Sequence, residues 1–196
     1  MKLVSLLLSS ILILNTPHDY NFNHFIKNSI CDETVIPKDN YSYIFDEYTV
    51  NSITKDFNYK NIESKIYYNN TNSSKKETYR ITKNTIVNAN INPLILYNSK
   101  YLKSFLDKSQ NQINETVLTR KEIEEESGII IGFDLPPKTK LTINNFQVGY
   151  IIKGNLCWKR YSKSGTFLGY YKKEANSSLL SSNSTNIELT EAYQNE

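Results

Sequence analysis

Residues Ser127–Gly154 read SGIIIGFDLPPKTKLTINNFQVGYIIKG, and the order of apolar, proline and alternating positions in this stretch decides the fold class. Ile129–Leu135 is a short apolar run of strand type. Pro136 and Pro137 follow. Neither can donate a ladder hydrogen bond, so both belong to an edge or a connection. Leu141–Ile152 then alternates. Leu141, Ile143 and Asn145 share one face, and the phase moves to Phe146, Val148, Tyr150 and Ile152. A bulge near Asn144–Asn145 accounts for the shift. The stretch therefore reads as two strands linked by a turn built on Pro136, Pro137 and Thr139.

The same pattern extends outward. Leu156–Tyr161 and Thr166–Tyr171 form a hairpin that turns at Lys163–Gly165. Upstream, Thr78–Ile91 alternates through Tyr79, Ile81, Thr85, Val87, Ala89 and Ile91, with a bulge expected near Lys83–Asn84, and Pro93 ends it. Tyr41–Thr54 is aromatic and β-branched and predicts one or two strands; Asn58–Tyr68 predicts another. Asn69–Lys76 is a polar loop. Leu94–Ile113, with Leu102, Phe105, Leu106 and Ile113, predicts the main helix, and Asn21–Lys38 allows a short one. Thr116–Glu126 fits either state. From Asn176 the chain is rich in Ser, Asn and Glu and predicts a mobile polar tail over 176–196.

Composition supports strands over helices. The 196 residues include 25 Asn, 22 Ile, 20 Lys and 15 Tyr but only 3 Ala, which disfavours an Ala-rich bundle. Asn, Lys, Ile and Tyr share AT-rich codons, so part of that bias is genomic. His18 and His24 are the sole histidines, which leaves little for imidazole-based catalysis or zinc binding.

Met1–Leu14 reads MKLVSLLLSSILIL: one lysine, a short apolar run, then polar residues. That is the pattern of a secretory signal peptide, placed at 1–16. The alternative is an apolar strand or buried helix of a cytosolic protein. Residues 17–175 then form a single domain of a secreted, extracellular protein. In an oxidising compartment Cys31 and Cys157 are a disulfide candidate, with two buried thiols as the alternative. Glycosylation sequons fall at Asn40, Asn69, Asn72, Asn114, Asn176 and Asn183, a number close to chance for this composition.

Charge is segregated. Lys138, Lys140, Lys153, Lys159, Arg160, Lys163, Lys172 and Lys173 lie in a segment, 135–173, that contains no acid. Such a segment faces either an anionic partner or plain solvent. With a single arginine in that segment of a secreted chain, nucleic acid is not the expected partner. The search for chemistry returns no catalytic constellation, no cofactor site and no metal site. The Glu122–Glu126 acidic run is linear and fits a solvated edge better than a Ca²⁺ loop. Trp158 reads as core or as a cation–π neighbour. A carboxylate enzyme would need a facing pair that nothing in the sequence singles out.

The segment quoted at the start resembles part of the aerolysin-like β-pore-forming toxins of the epsilon-toxin/mosquitocidal-toxin type. In that family a strand runs into V-P-P-x-T-x-V and a second strand. Pro136, Pro137, Lys138, Thr139, Lys140 and Leu141 match position by position, within a resemblance spanning roughly residues 116–154. The resemblance implies a mainly β fold: an elongated antiparallel sheet with one or two short helices. It also implies action at a membrane surface, by binding or by oligomeric pore formation. Family members carry a Ser/Thr-rich amphipathic hairpin upstream, whereas Ala89–Thr119 here contains the helix-like YLKSFLDKSQNQI. The competing expectation is a secreted binding module, of salivary, venom or effector type, that uses its tyrosines on a cell-surface protein or glycan.

Overall fold

The structure, a computed structural model, describes residues 41–81, 84–123 and 131–193. The expected signal peptide, the Asn21–Lys38 helix, Cys31 and Asn40 lie outside the described residues.

Three long stretches of strand form the main sheet. β1 (Ser42–Asn69) is one 28-residue strand where the sequence suggested two or three. At about 3.3 Å per residue it would reach roughly 90 Å fully extended. β7 (Thr139–Tyr161) pairs antiparallel with β1 along its whole length, from Asn69↔Thr139 to Ser42↔Tyr161. On the other side of β7, β8 (Phe167–Glu174) pairs with Asn155–Tyr161 and β9 (Ser177–Tyr193) pairs with Thr139–Ile152. β8 and β9 thus lie end to end, joined where the Ala175 amide donates to the Gly154 carbonyl.

The excursion between Asn69 and Thr139 supplies a second layer. β2 (Lys75–Tyr79) pairs with β6 (Ile131–Leu135), and β3 (Thr85–Asn88) pairs with β5 (Arg120–Ile123). Between them come α1 (Pro93–Leu96), α2 (Ser99–Gln110) and β4 (Val117–Leu118). Asn92 caps α1 by accepting from the Leu94 amide, with Pro93 in the first turn, and Asn98 caps α2 by accepting from the Lys100 amide. The helices sit on the main sheet over Tyr48, Val50, Tyr150, Ile152 and Leu156, with Phe105 and Ile95 fully buried between. The paired strands sit on its other half, where Tyr79, Val87, Ile123 and Leu135 close over Ile62, Leu141 and Ile143. The fold class is as expected: mainly β, antiparallel, with two short helices among the described residues.

Four readings need correction. The alternating Thr78–Ile91 segment is not one strand; β2 and β3 have different partners, β6 and β5, although Tyr79 and Val87 are both buried. The strand expected at Asn58–Tyr68 is not a separate one but part of β1, and of the two states open to Thr116–Glu126 the structure takes strand as far as Ile123. The phase change in β7 falls between Gln147 and Val148, not at Asn144–Asn145. Asn145 and Gln147 are themselves buried. A register shift against β9 occurs here, and Gln147 Nε2 lies within 2.8–3.1 Å of the Val148, Ser181 and Ser184 carbonyls that it serves. Finally, the expected mobile tail is strand β9 over Ser177–Tyr193. Its serines satisfy backbone groups of the second layer: Ser177 Oγ accepts from the Asn92 amide and Ser178 Oγ from the Asn90 amide. Leu179 and Leu180 are fully buried, one in each core.

Candidate functional site

The long sheet has two ends, and the residues expected to matter divide between them. Along β7, Lys140 and Lys159 are nineteen positions apart, roughly 60 Å at strand spacing. The eight basic residues are therefore not one patch. Lys138 and Lys140 sit at the proline end, Lys153 lies midway, and Lys159, Arg160, Lys163, Lys172 and Lys173 gather at the hairpin end.

At the proline end, Pro136–Pro137–Lys138 links β6 to β7 without pairing those strands to each other. Lys138 takes a positive φ of 54°. Thr139 is fully buried, and its Oγ1 donates to the Pro136 carbonyl at 2.6 Å. Asn69 Nδ2 reaches the carbonyls of Ser73, Leu135 and Pro136 at 2.8, 2.9 and 3.0 Å, and its Oδ1 accepts from the Thr71 amide and hydroxyl. Asn69 is 1% exposed. Its amide is committed inward, which corrects its reading as a glycosylation site; Asn72, Asn114, Asn176 and Asn183 are exposed.

At the hairpin end an aromatic cluster crosses β1, β7, β8 and α2. Phe45 packs on Tyr101 (centroids 4.4 Å apart) and on Trp158 (6.1 Å), while Trp158 meets Tyr171 at 5.4 Å. Trp158 Nε1 donates to Tyr101 Oη at 3.2 Å, so Trp158 is a half-buried packing residue. Beyond this cluster the hairpin turns through Ser162–Thr166, where Gly165 has a φ of +82°. The Ser162 amide donates to the Thr166 carbonyl, and the Gly165 amide to that of Ser162. Phe167 and Leu168 then emerge 49% and 37% exposed. Phe167 is held against Tyr161 and Tyr170 with centroids 5.7 and 5.4 Å away, and Arg160 Nη2 donates to the Leu168 carbonyl at 2.9 Å. Lys159 forms a 2.7 Å ion pair with Asp46, whose hydrogen bond holds the ammonium pKa above its usual value. The Arg160 guanidinium lies 5.3 Å from the Tyr41 ring, and Lys163 and Lys173 are exposed. Cys157 is buried with Sγ 3.6 Å from Thr49 Oγ1.

Between the ends, Glu115 ties the second layer to all three long strands. Its carboxylate accepts from Tyr150 Oη and Lys55 Nζ, and from Ser181 Oγ at 2.7 Å. Burial alone would raise the Glu115 pKa, but the hydrogen bonds from Tyr150, Ser181 and Lys55 outweigh it and hold the group at about 2. Burial and the neighbouring carboxylate push the Tyr150 hydroxyl well above its ordinary range. The sequence reading missed Glu115, which lies in an unremarkable polar loop. It also missed Phe167–Leu168, although an apolar pair directly after a Gly-containing turn in a basic segment was a usable signal.

Among the described residues, no group of three His, Cys, Asp or Glu is placed to hold a metal ion, and no helix is long and apolar enough to cross a membrane. No protein-family profile matches the chain, and no curated protein sequence matches it. Among solved structures, it is similar to the crystal structure of lamprey immune protein at 9% identity and a TM-score of 0.33. The match covers 77% of this chain and 53% of that one, so the chain corresponds to about half of that protein's length. Similarity at that level identifies neither a family nor an activity.

Proposed function

We propose that this is a secreted protein of aerolysin-like type that acts at membranes by binding their surface and assembling there, with residues 75–135 as the part that moves. One observation carries the reading. The strands of the second layer pair with each other, β2 with β6 and β3 with β5, and only the two-residue β4 pairs with a long strand. Lifting that layer would leave its own ladders and those joining the long strands intact. What would break is the short β4–β9 pairing, the Ser178 and Ser182 amides on the Asn90 and Thr116 carbonyls, the β9 serine hydroxyls on the Asn90 and Asn92 amides, and side-chain contact: the Tyr67–Phe133 rings at 5.1 Å, the Tyr67 hydroxyl on the Thr78 carbonyl and the Glu115 carboxylate network. Along the released strands, buried Tyr79, Val87, Ile123 and Leu135 alternate with exposed Lys76, Arg120, Glu122 and Asp134. One apolar and one polar face is what a lipid-exposed hairpin requires. Each arm, 75–88 and 120–135, is longer than the ~9–11 residues that cross a bilayer as strand.

The test is dye release from vesicles together with SDS-resistant oligomers, before and after limited proteolysis. A variant with Tyr67→Cys and Phe133→Cys, bridged by a short bis-maleimide, pins the second layer to the sheet. It should bind vesicles as before and lose release and oligomers. Absence of both signals from the unmodified protein on every vesicle composition refutes the proposal.

A second reading rests on the aromatic cluster at the hairpin end. Tyrosine-rich, half-exposed surfaces also suit a protein or glycan partner. That reading expects a monomer with saturable binding and no dye release.

A further inference from the structure

We infer that the β7–β8 hairpin tip is a membrane-docking surface for anionic phospholipid. In it, Phe167 and Leu168 enter the interface while Lys163 and Arg160 meet the headgroup phosphates. The inference rests on the membrane reading above and adds which end of the molecule approaches the bilayer and which lipid class it selects.

Three independent features converge on this tip. The first is exposure. Phe167 and Leu168 are adjacent, apolar and exposed at the turn of a hairpin, and Ile44, on the neighbouring strand and paired with Lys159, is 57% exposed. The second is rigidity. The Ser162–Thr166 turn is closed by backbone hydrogen bonds, Thr166 N also donates to Ser162 Oγ at 3.1 Å, and the Arg160 side chain anchors the Leu168 carbonyl. Gly169, with a φ of 108°, bends the strand just beyond the pair. Side chains presented on a fixed turn lose little conformational entropy on docking. The third is charge. The segment 135–173 contains no acid; among the described residues Asp46 pairs with Lys159, and Lys163 stands exposed on the turn itself. Apolar side chains flanked by lysines are the composition that lies in a headgroup layer, where each lysine near an anionic surface strengthens binding about fivefold. The proline end also exposes rings, Tyr68 and Tyr193, beside Lys140, but there Glu191, opposite Leu141 on β9, stands next to the lysine, so the charge is mixed.

The experiment is co-sedimentation of the full chain with vesicles of phosphatidylcholine alone and of phosphatidylcholine mixed with phosphatidylserine. Binding is expected to the mixed vesicles only and to weaken as salt is raised. Lys163→Gln should lower the affinity about fivefold, whereas Lys173→Gln, six strand positions from Phe167 and opposite Leu156, should leave it unchanged. Phe167→Ser with Leu168→Ser should lower it at least tenfold at every salt concentration. All four positions are exposed, so unchanged far-ultraviolet circular dichroism and melting temperature are expected and serve as the folding control. Equal binding to both vesicle types overturns the inference. So does unchanged binding by the Phe167/Leu168 variant, or competition by heparin that abolishes binding regardless of those two residues, which would assign the tip to a sulfated glycan. Dye release read on the same samples separates the two proposals. Docking without release supports the tip and refutes pore formation, whereas release that persists in the tip variants refutes the tip alone.

Discussion

At the proline end of the sheet, one asparagine and one threonine close the structure from within: Asn69 serves three carbonyls, Thr139 adds a second donor to that of Pro136, and both side chains are buried. At the hairpin end, a ring cluster does the packing and the last apolar pair is left outside. Both ends join long antiparallel strands through tight connections, yet one uses its polar groups inward and the other presents its apolar groups outward. Orphaned carbonyls in a corner demand satisfaction, which makes the proline end a matter of stability. Exposed rings on a rigid turn gain little from burial, which is why the docking proposal rests on the hairpin end.

The largest effect that would break this contrast concerns the proposed Cys31–Cys157 link. If it forms, it tethers the hairpin end by about 4–5 kcal/mol in the chain-entropy account. Peptide mapping without reductant should then recover the linked peptides, and reduction should lower the denaturant midpoint sharply; two free thiols by mass would remove the tether. Next comes Gly154→Ala. A methyl there would sit 2.3 Å from the Thr49 carbonyl oxygen and from Tyr48 Oη, atoms of a strand and a buried ring that have no room to retreat. It should cost about 3 kcal/mol by chemical denaturation. Asn69→Ala should cost about 2–3 kcal/mol, because it removes several buried hydrogen bonds at once. If it proves neutral, the proline end is not closed as described.

A smaller, pH-dependent effect belongs to Glu115. Its carboxyl is depressed to about 2 in the fold. Its stabilisation is therefore complete above the unfolded-state pKa of about 4.3 and is lost as pH falls through the folded value. Glu115→Gln should remove about 2 kcal/mol near neutral pH and flatten the acid limb of the stability profile; an unchanged limb would sink the assignment. The smallest effect is Asp46→Asn, which breaks an exposed pair with Lys159 and should leave the denaturant midpoint where it was.

Period-2 patterning made much of the long sheet legible. Leu141 and Ile143 in one phase and Val148, Tyr150 and Ile152 in the other were visible as strand, and Pro136–Pro137 as a connection. Placing the phase change failed because Asn145 and Gln147 are buried polar residues, and alternation rules assign such residues to solvent. Strand β9 was hidden for a related reason. Ser177, Ser178 and Ser181 read as tail composition, but each is buried beside a backbone or carboxylate group that it satisfies. The basic segment was visible as charge, but sequence could not show that a 23-residue strand would spread it along the molecule. The aromatic cluster needed the register Phe45↔Trp158 and Trp158↔Tyr171, which no local pattern encodes.

The pairing of Asn69 with Thr139 has a consequence for how this chain can change. Residues 70–138 leave the sheet and return to it at neighbouring positions on adjacent strands, so for the sheet the whole second layer is an inserted loop. Doubling the length of such a loop costs only about 0.6 kcal/mol of closure entropy. Insertions, deletions or wholesale replacement between those two residues would alter what covers the sheet and leave the β1–β7 register in place. Variation among natural versions of this architecture should accordingly concentrate within that interval.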